Sequence, residues 1–235
     1  MQIAKENGMV LRRKFNHEME QLQDDVLLLA SMVEGALDDA IDVLKRRDIA
    51  GSQRLIAYDE KVNQKRYAIE ETTLTLIATQ QPMASDMRLL AGILEIITEL
   101  ERIGDYAKGI AVINLRMEGK PFVKPLIDIP QMADYATDML HRALDAFVKR
   151  DIELARLVAL DDDKIDDLYN QVYRDLVEIM TQNVGAFDQA TYLLWIAHNL
   201  ERTGDRIVNI CERIIFTVTG SMVEMNGTRH QTVWM

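Results

Sequence analysis

Two six-residue strings hold the densest chemistry in this sequence. Leu100-Glu101-Arg102-Ile103-Gly104-Asp105 recurs a hundred residues later as Leu200-Glu201-Arg202-Thr203-Gly204-Asp205. Each sets a Glu and an Asp four apart, which on a helix stacks two carboxylates on one face, where they repel by a few tenths of a kcal/mol. Leu94 and Leu194 stand seven residues before the two Glu, so the acids border an apolar stripe and do not face open water. A second acidic pattern also recurs, at a spacing of 103: Asp59-Glu60-Lys61-Val62-Asn63 and Asp162-Asp163-Lys164-Ile165-Asp166. Carboxylates crowded in low dielectric raise one another's pKa or take up a cation. Oxygen donors with neither thiolates nor paired imidazoles suit hard ions such as Mg2+, Mn2+, Ca2+ or iron. The candidate ligands are therefore Asp59, Asn63, Glu101 and Asp105 in the first copy, and Asp162, Asp166, Glu201 and Asp205 in the second. The plainer alternative is a belt of salt bridges made with Arg102 and Arg202. The duplicated glycines bear on this choice: Gly costs about 1 kcal/mol in a helix interior, so Gly104 and Gly204 point to close approach of another chain segment.

Other chemistry is thin. His17, His141, His198 and His230 do not recur between the copies and read as surface or packing residues. Asp138-x-x-His141 is half of a di-iron pattern, but no Glu-x-x-His occurs. Glycine-rich phosphate loops, G-x-S-x-G and His-Glu-x-x-His are missing from the sequence. Cys211 is the only cysteine, which excludes an intrachain disulfide or a thiolate zinc cluster. Tyr169 and Tyr173 read as core.

The elements that must position the acids are helices. From Leu11 the apolar stripe runs through Phe15, Met19, Leu22, Val26, Leu29, Val33, Leu37 and Ile41 to Leu44, a mean step of about 3.7 residues. A second helix starts at the N-cap Asp48 and carries Leu55, Val62, Ile69 and Leu76 up to Gln80-Gln81-Pro82. A third, capped by Ser85 or Asp86, runs to about Met117. Pro121, Pro125 and Pro130 make helix continuation unfavourable. Three more helices follow, over roughly Gln131 to Arg150, Ile152 to Gln182 and Asp188 to Thr219. The repeat predicts an all-α chain of two tandem, internally repeated three-helix bundles: residues 9–117 and 131–219, with a Pro-containing linker loop at 118–130 and a loose tail at 220–235. Met1 to Gly8 is also expected to be loose.

Composition narrows the function. The 235 residues include 27 basic and 38 acidic side chains, a net charge of −11, and 48% are hydrophobic. Such an acidic chain is not a nucleic-acid binder by charge. Met1 to Lys14 lacks the apolar stretch of an export signal, Val26 to Ala30 is too short to span a membrane, and Glu95 and Glu99 interrupt the next candidate, Leu89 to Leu100, so a cytoplasmic protein is expected.

The repeated Glu-Arg-x-Gly-Asp strings, the Gln81-Pro82-x-Ala84-x-Asp86-x-Arg88-Leu89 segment and the Asp-x-x-Val/Ile-Asn/Asp strings together resemble the PhoU family, from about Leu11 to Gly220. The resemblance implies two similar three-helix bundles, often as a homodimer, in a non-enzymatic protein that represses the phosphate-starvation response when phosphate is plentiful. It implies action between the phosphate ABC transporter, chiefly its ATPase subunit, and a membrane-bound phosphate-sensing histidine kinase, with the protein peripheral at the membrane's inner face through those partners. Some members bind multinuclear metal clusters through Glu/Asp-x-x-x-Asp motifs. Glu101 with Asp105, Glu201 with Asp205 and Asp162 with Asp166 match that motif. Asp59 with Asn63 departs from it, which makes the first site the weaker or emptier of the two. The metal's identity, among iron, Mn, Mg or Zn, stays open. The alternatives are a carboxylate-bridged di-metal oxidase of ferritin-like type, which the lack of Glu-x-x-His disfavours, and a metal-free helical scaffold.

Overall fold

The computed structural model describes residues 2–225, with side chains from Arg12 onward. Helices α1 (Gln2–Arg46), α2 (Ile49–Gln80) and α3 (Ala84–Arg116) form the first repeat. The second contains α4 (Asp128–Lys149), α5 (Ile152–Leu160), α6 (Asp162–Gln182) and α7 (Phe187–Thr219), with a 3-10 turn at Val184–Ala186. No strand occurs among the described residues. None of the described helices is long and apolar enough to cross a membrane.

The apolar stripe becomes the core of the first repeat. Every stripe residue from Phe15 to Leu44 is buried, as are Leu55, Val62, Ile69 and Leu76 of α2; Leu11 lies outside the described side chains. The turns repeat along with the helices. Arg47 and Arg150 both take left-handed φ, at 55° and 53°, and close α1 and α4. The next residue in each copy is an N-cap: Asp48 accepts from the Gly51 amide at 2.8 Å, and Asp151 from the Leu154 amide at 3.0 Å. A capping carboxylate satisfies one amide that the first helical turn leaves without a partner.

Several boundaries differ from the sequence expectations. Residues 2–8 are helical, not loose: no proline interrupts them, and each added residue extends an established helix at the cost of Gly8 alone. Met1 and 226–235, most of the tail expected to be loose, lie outside the described residues; Ser221–Met225 has no regular helix, but Val223 and Met225 pack on the core and the Met225 amide donates to Glu212 at 2.6 Å. Neither Ser85 nor Asp86 caps α3. Met83 is the extended residue before it, and Asp86 sits inside the first turn, where it pairs with Arg12 at 2.8 Å. α4 begins at Asp128, so Pro130 occupies its first turn, where a missing N–H removes no helical bond. The expected single helix from Ile152 to Gln182 is interrupted at Asp161. There the carboxylate takes Arg142 at 2.6 Å and Lys164 at 2.7 Å, while Asp162 and Asp163 begin α6, whose N-terminal dipole favours acids.

The two repeats meet along α3 and α7. Gly92 faces Thr217, Glu95 pairs with Arg213, Glu99 accepts from Asn209 at 3.2 Å and Arg206 at 3.3 Å, and Gly109 faces Asn199. The partner number falls as the α3 number rises, so the helices are antiparallel. Midway between the Glu99–Asn209 and Gly109–Asn199 levels, Gly104 stands level with Gly204, its own counterpart. An antiparallel crossing centred on equivalent residues is what an approximate two-fold axis produces. The repeats thus pack back to back, like the halves of a dimer, over one continuous apolar core.

Candidate metal centre

The acidic residues lie on helices that face one another within each repeat: α2 against α3, and α6 against α7. The two glycines admit this approach. A Cβ on Gly204 would stand 2.1 Å from Asp162 Oδ1 and 3.2 Å from Ile165 Cδ1. On Gly104 it would stand 3.3 Å from a methyl of Val62, the counterpart of Ile165. The close approach expected from the duplicated glycine is therefore real in both copies, and in the second it makes room for a carboxylate.

In the first repeat the structure brings Asp59, Asn63, Glu101 and Asp105 together with two cations. Asp59 is 7% exposed. Its Oδ2 accepts from Lys108 Nζ at 2.7 Å and from Asn63 Nδ2 at 3.1 Å. The same ammonium reaches Asp105 Oδ1 at 3.5 Å. Hydrogen bonding to Asp59 holds the Lys108 ammonium above its ordinary pKa, against the effect of burial. Glu101 is raised by burial and by Asp105, and this is relieved in part by the Arg66 guanidinium. Asn63 thus turns an amide donor toward its neighbour, where the second repeat has the carboxylate of Asp166.

The second repeat keeps the carboxylates and changes their company. Asp162 is 7% exposed, against Gly204. Burial, Asp205 and Asp166 push the Glu201 carboxyl up to about 7, and Arg202 and Arg206 offset only part of this. Glu201 Oε2 is buried without a hydrogen-bond donor; His198 Nδ1 lies 3.3 Å away. Burial and Arg202 hold that imidazole below its ordinary pKa. Arg202 Nη1 pairs with Asp205 Oδ2 at 2.8 Å, which realises part of the salt-bridge alternative. Arg206 is turned away, across the seam to Glu99. Tyr169, beside His198, has its phenol raised by burial and by Glu201.

Lys108, Arg66, His198 and Tyr169 were not among the sequence candidates. His198 is exposed, as the surface reading expects, and the i,i+3 spacing also sets its ring against Glu201 on the acidic face. Tyr169 packs on the core edge as expected, whereas Tyr173 is 48% exposed, because it falls on the outer side of α6. The signal that finds Lys108 and Arg66 is the repeat itself, read for differences: their counterparts are Val208 and Tyr169.

Among the described residues, no three His, Cys, Asp or Glu side chains converge closely enough to enclose one ion. In the second repeat a buried Glu201 carboxylate oxygen has no donor, and the space beside Gly204 is filled by the Asp162 carboxylate. Oxygen donors of this kind are the type that a hard cation takes.

Comparison with known proteins defines the class. The PhoU domain matches this chain twice, over residues 26–113 and 129–214. The chain belongs to the PhoU family. It is 36% identical over 207 residues to the phosphate-specific transport system accessory protein PhoU of Escherichia coli, covering 88% of this chain and 86% of that one. It is 33% identical to the homologue from Clostridium acetobutylicum, over 92% of this chain and 99% of the relative. The crystal structure of PhoU from Pseudomonas aeruginosa superposes with a TM-score of 0.84 at 32% identity, over 88% of this chain and 100% of that one. The phosphate transport system regulatory protein PhoU from Streptococcus pneumoniae superposes at 0.83 with 30% identity, covering 89% and 99%.

Proposed function

We propose that this protein is a non-enzymatic regulator of phosphate uptake, a brake on the phosphate-starvation response that works by contact. The observation that carries this reading is likeness over nearly the whole length of relatives named as accessory proteins of phosphate-specific transport. The partners we assign are the ATPase subunit of the phosphate ABC transporter and a phosphate-sensing histidine kinase. The protein would work as a homodimer in the cytoplasm, held at the inner face of the membrane through them. Long helical faces bind by shape and charge, and a net charge of −11 favours basic partner surfaces. Co-purification of the transporter ATPase subunit with the tagged full chain, from its own cells grown in abundant phosphate, is the expected result. Loss of that association in stringent washes, with no effect of the chain on phosphate import, would overturn the reading.

A hard metal ion, iron, Mn, Mg or Zn, is part of the same proposal. Asp162, Asp166, Glu201 and Asp205 would hold it, and it would supply positive charge beside the buried Glu201 oxygen that has no donor. Elemental analysis of gently purified protein tests this. A chain that carries no metal, and whose melting temperature does not move with added Fe3+, Mn2+, Mg2+ or Zn2+, would leave the salt-bridge scaffold instead.

A further inference from the structure

We propose that Lys108 is a built-in cation of the first repeat: its ammonium, between Asp59 of α2 and Asp105 of α3, occupies the place a metal would take there, so that metal is confined to the second repeat. The second half of this statement rests on the metal reading above; the first half does not.

Position 108 corresponds to 208, where the chain has Val208, fully buried and uncharged. Position 66 corresponds to 169, where Tyr169 replaces the Arg66 guanidinium. Two cations thus stand in the first copy at places where the second has none. Lys108 is not a surface lysine near an acid by chance. Its Nζ reaches carboxylates on two different helices, at 2.7 Å to Asp59 and 3.5 Å to Asp105, and Asp59 is buried. An ion bridging α2 and α3 through Asp59 and Asp105 would contact the same two side chains. Asn63 completes the arrangement by donating to the Asp59 oxygen that Lys108 holds. An ammonium bound by oxygens and a metal bound by those oxygens are mutually exclusive, because the two charges would sit within a few ångströms with no donor to spare. Losing a carboxylate at Asn63 and gaining an ammonium at Lys108 are changes in the same direction: each reduces the negative charge that a cation would need.

The test uses the full chain and Mn2+ as probe, with metal-free melting in chelator as a second readout. Wild type is expected to bind Mn2+ as one saturable class, lost in Glu201→Gln. Lys108→Met is expected to lower the metal-free melting temperature by roughly 3–8 °C, because it strands buried Asp59 without its cation. It should also add a second class of Mn2+ binding that restores that loss. Lys108→Met combined with Glu201→Gln should regain binding that Glu201→Gln alone lacks. Lys108→Arg, which keeps the charge and guards against a Met variant that fails to fold, should melt within a degree or two of wild type and gain no Mn2+. Two Mn2+ classes in wild type, or a Lys108→Met chain that neither melts lower nor gains Mn2+, would overturn the proposal. If wild type binds no Mn2+ at all, the second-repeat metal reading fails, and the metal-free melting of Lys108→Met still decides whether Lys108 is the internal cation.

Discussion

Gly204 lies against the carboxylate of Asp162, so close that a Cβ there would stand 2.1 Å from Oδ1. The equivalent Gly104 faces only a Val62 methyl, at 3.3 Å. The same residue type therefore has two different consequences. Gly204→Ala must displace a buried acid and crowd Ile165, a strain of about 1–3 kcal/mol, set against roughly 1 kcal/mol gained in helix propensity. Gly104→Ala gains the same propensity against a much smaller clash. Denaturant melts are expected to show Gly204→Ala as the less stable of the two variants.

Glu201 gives the chain a pH dependence of definite sign. Its carboxyl rises from 4.5 to about 7 on folding, mainly through burial. Below about pH 4.5 the group is protonated folded and unfolded, and it contributes nothing. Between 4.5 and 7 the unfolded chain ionises first, so a penalty on folding grows with pH, and above 7 it is present in full. In chelator, Glu201→Gln is expected to melt higher than wild type at pH 8, by roughly 2–6 °C after allowing for solvent screening. The two curves should meet near pH 4.5. An equal difference at both pH values would mean that the charge is not the cause.

Asn114 pins the α1–α2 turn from within the core. Its amide donates to the Val43 carbonyl at 3.1 Å and to Ser52 Oγ at 2.9 Å, fully buried. The second repeat has Ile214 and Ala155 at the corresponding positions and needs no such pin. Asn114→Ala is expected to cost about 1–3 kcal/mol in urea unfolding, because it removes two buried hydrogen bonds, to Ser52 and to the Val43 carbonyl, which keeps only the Asp48 amide as donor.

The seam between repeats contains one ion pair that counts and one that does not. Glu99 and Arg206 are both largely buried at 3.3 Å, with Asn209 on the same carboxylate oxygen. Glu95 and Arg213 pair nearer the solvent. Removing one partner of a buried pair strands the other, so Glu99→Ala should cost about 2–3 kcal/mol. Glu95→Ala should cost less than about 1 kcal/mol. Equal losses in urea melts would contradict the burial difference.

What the sequence makes legible here is what repeats. The step of about 3.7 residues finds the helices because burial of one face imposes it, and the paired Glu-Arg-x-Gly-Asp strings find the acidic helices. Asp48 is legible as a cap because a short acceptor before an apolar run has little else to do. The break at Asp161 is not, since periodicity continues across it and one of the two cations that hold the carboxylate there, Arg142, is distant in sequence. Lys108 and Arg66 escape for a related reason: they are informative by failing to recur, and a reading that looks for identity between repeats passes over them. The antiparallel seam of α3 and α7 escapes because contacts such as Glu99–Arg206 leave no local mark in either helix.

The central claim is that the chain restrains the response to phosphate starvation. Alkaline phosphatase activity in a deletion strain grown in abundant phosphate tests it most directly. The account predicts high, derepressed activity in the deletion strain and repression regained when the intact chain is supplied. Phosphatase and transporter expression that stay repressed as in the parent, with phosphate import unchanged, would contradict it.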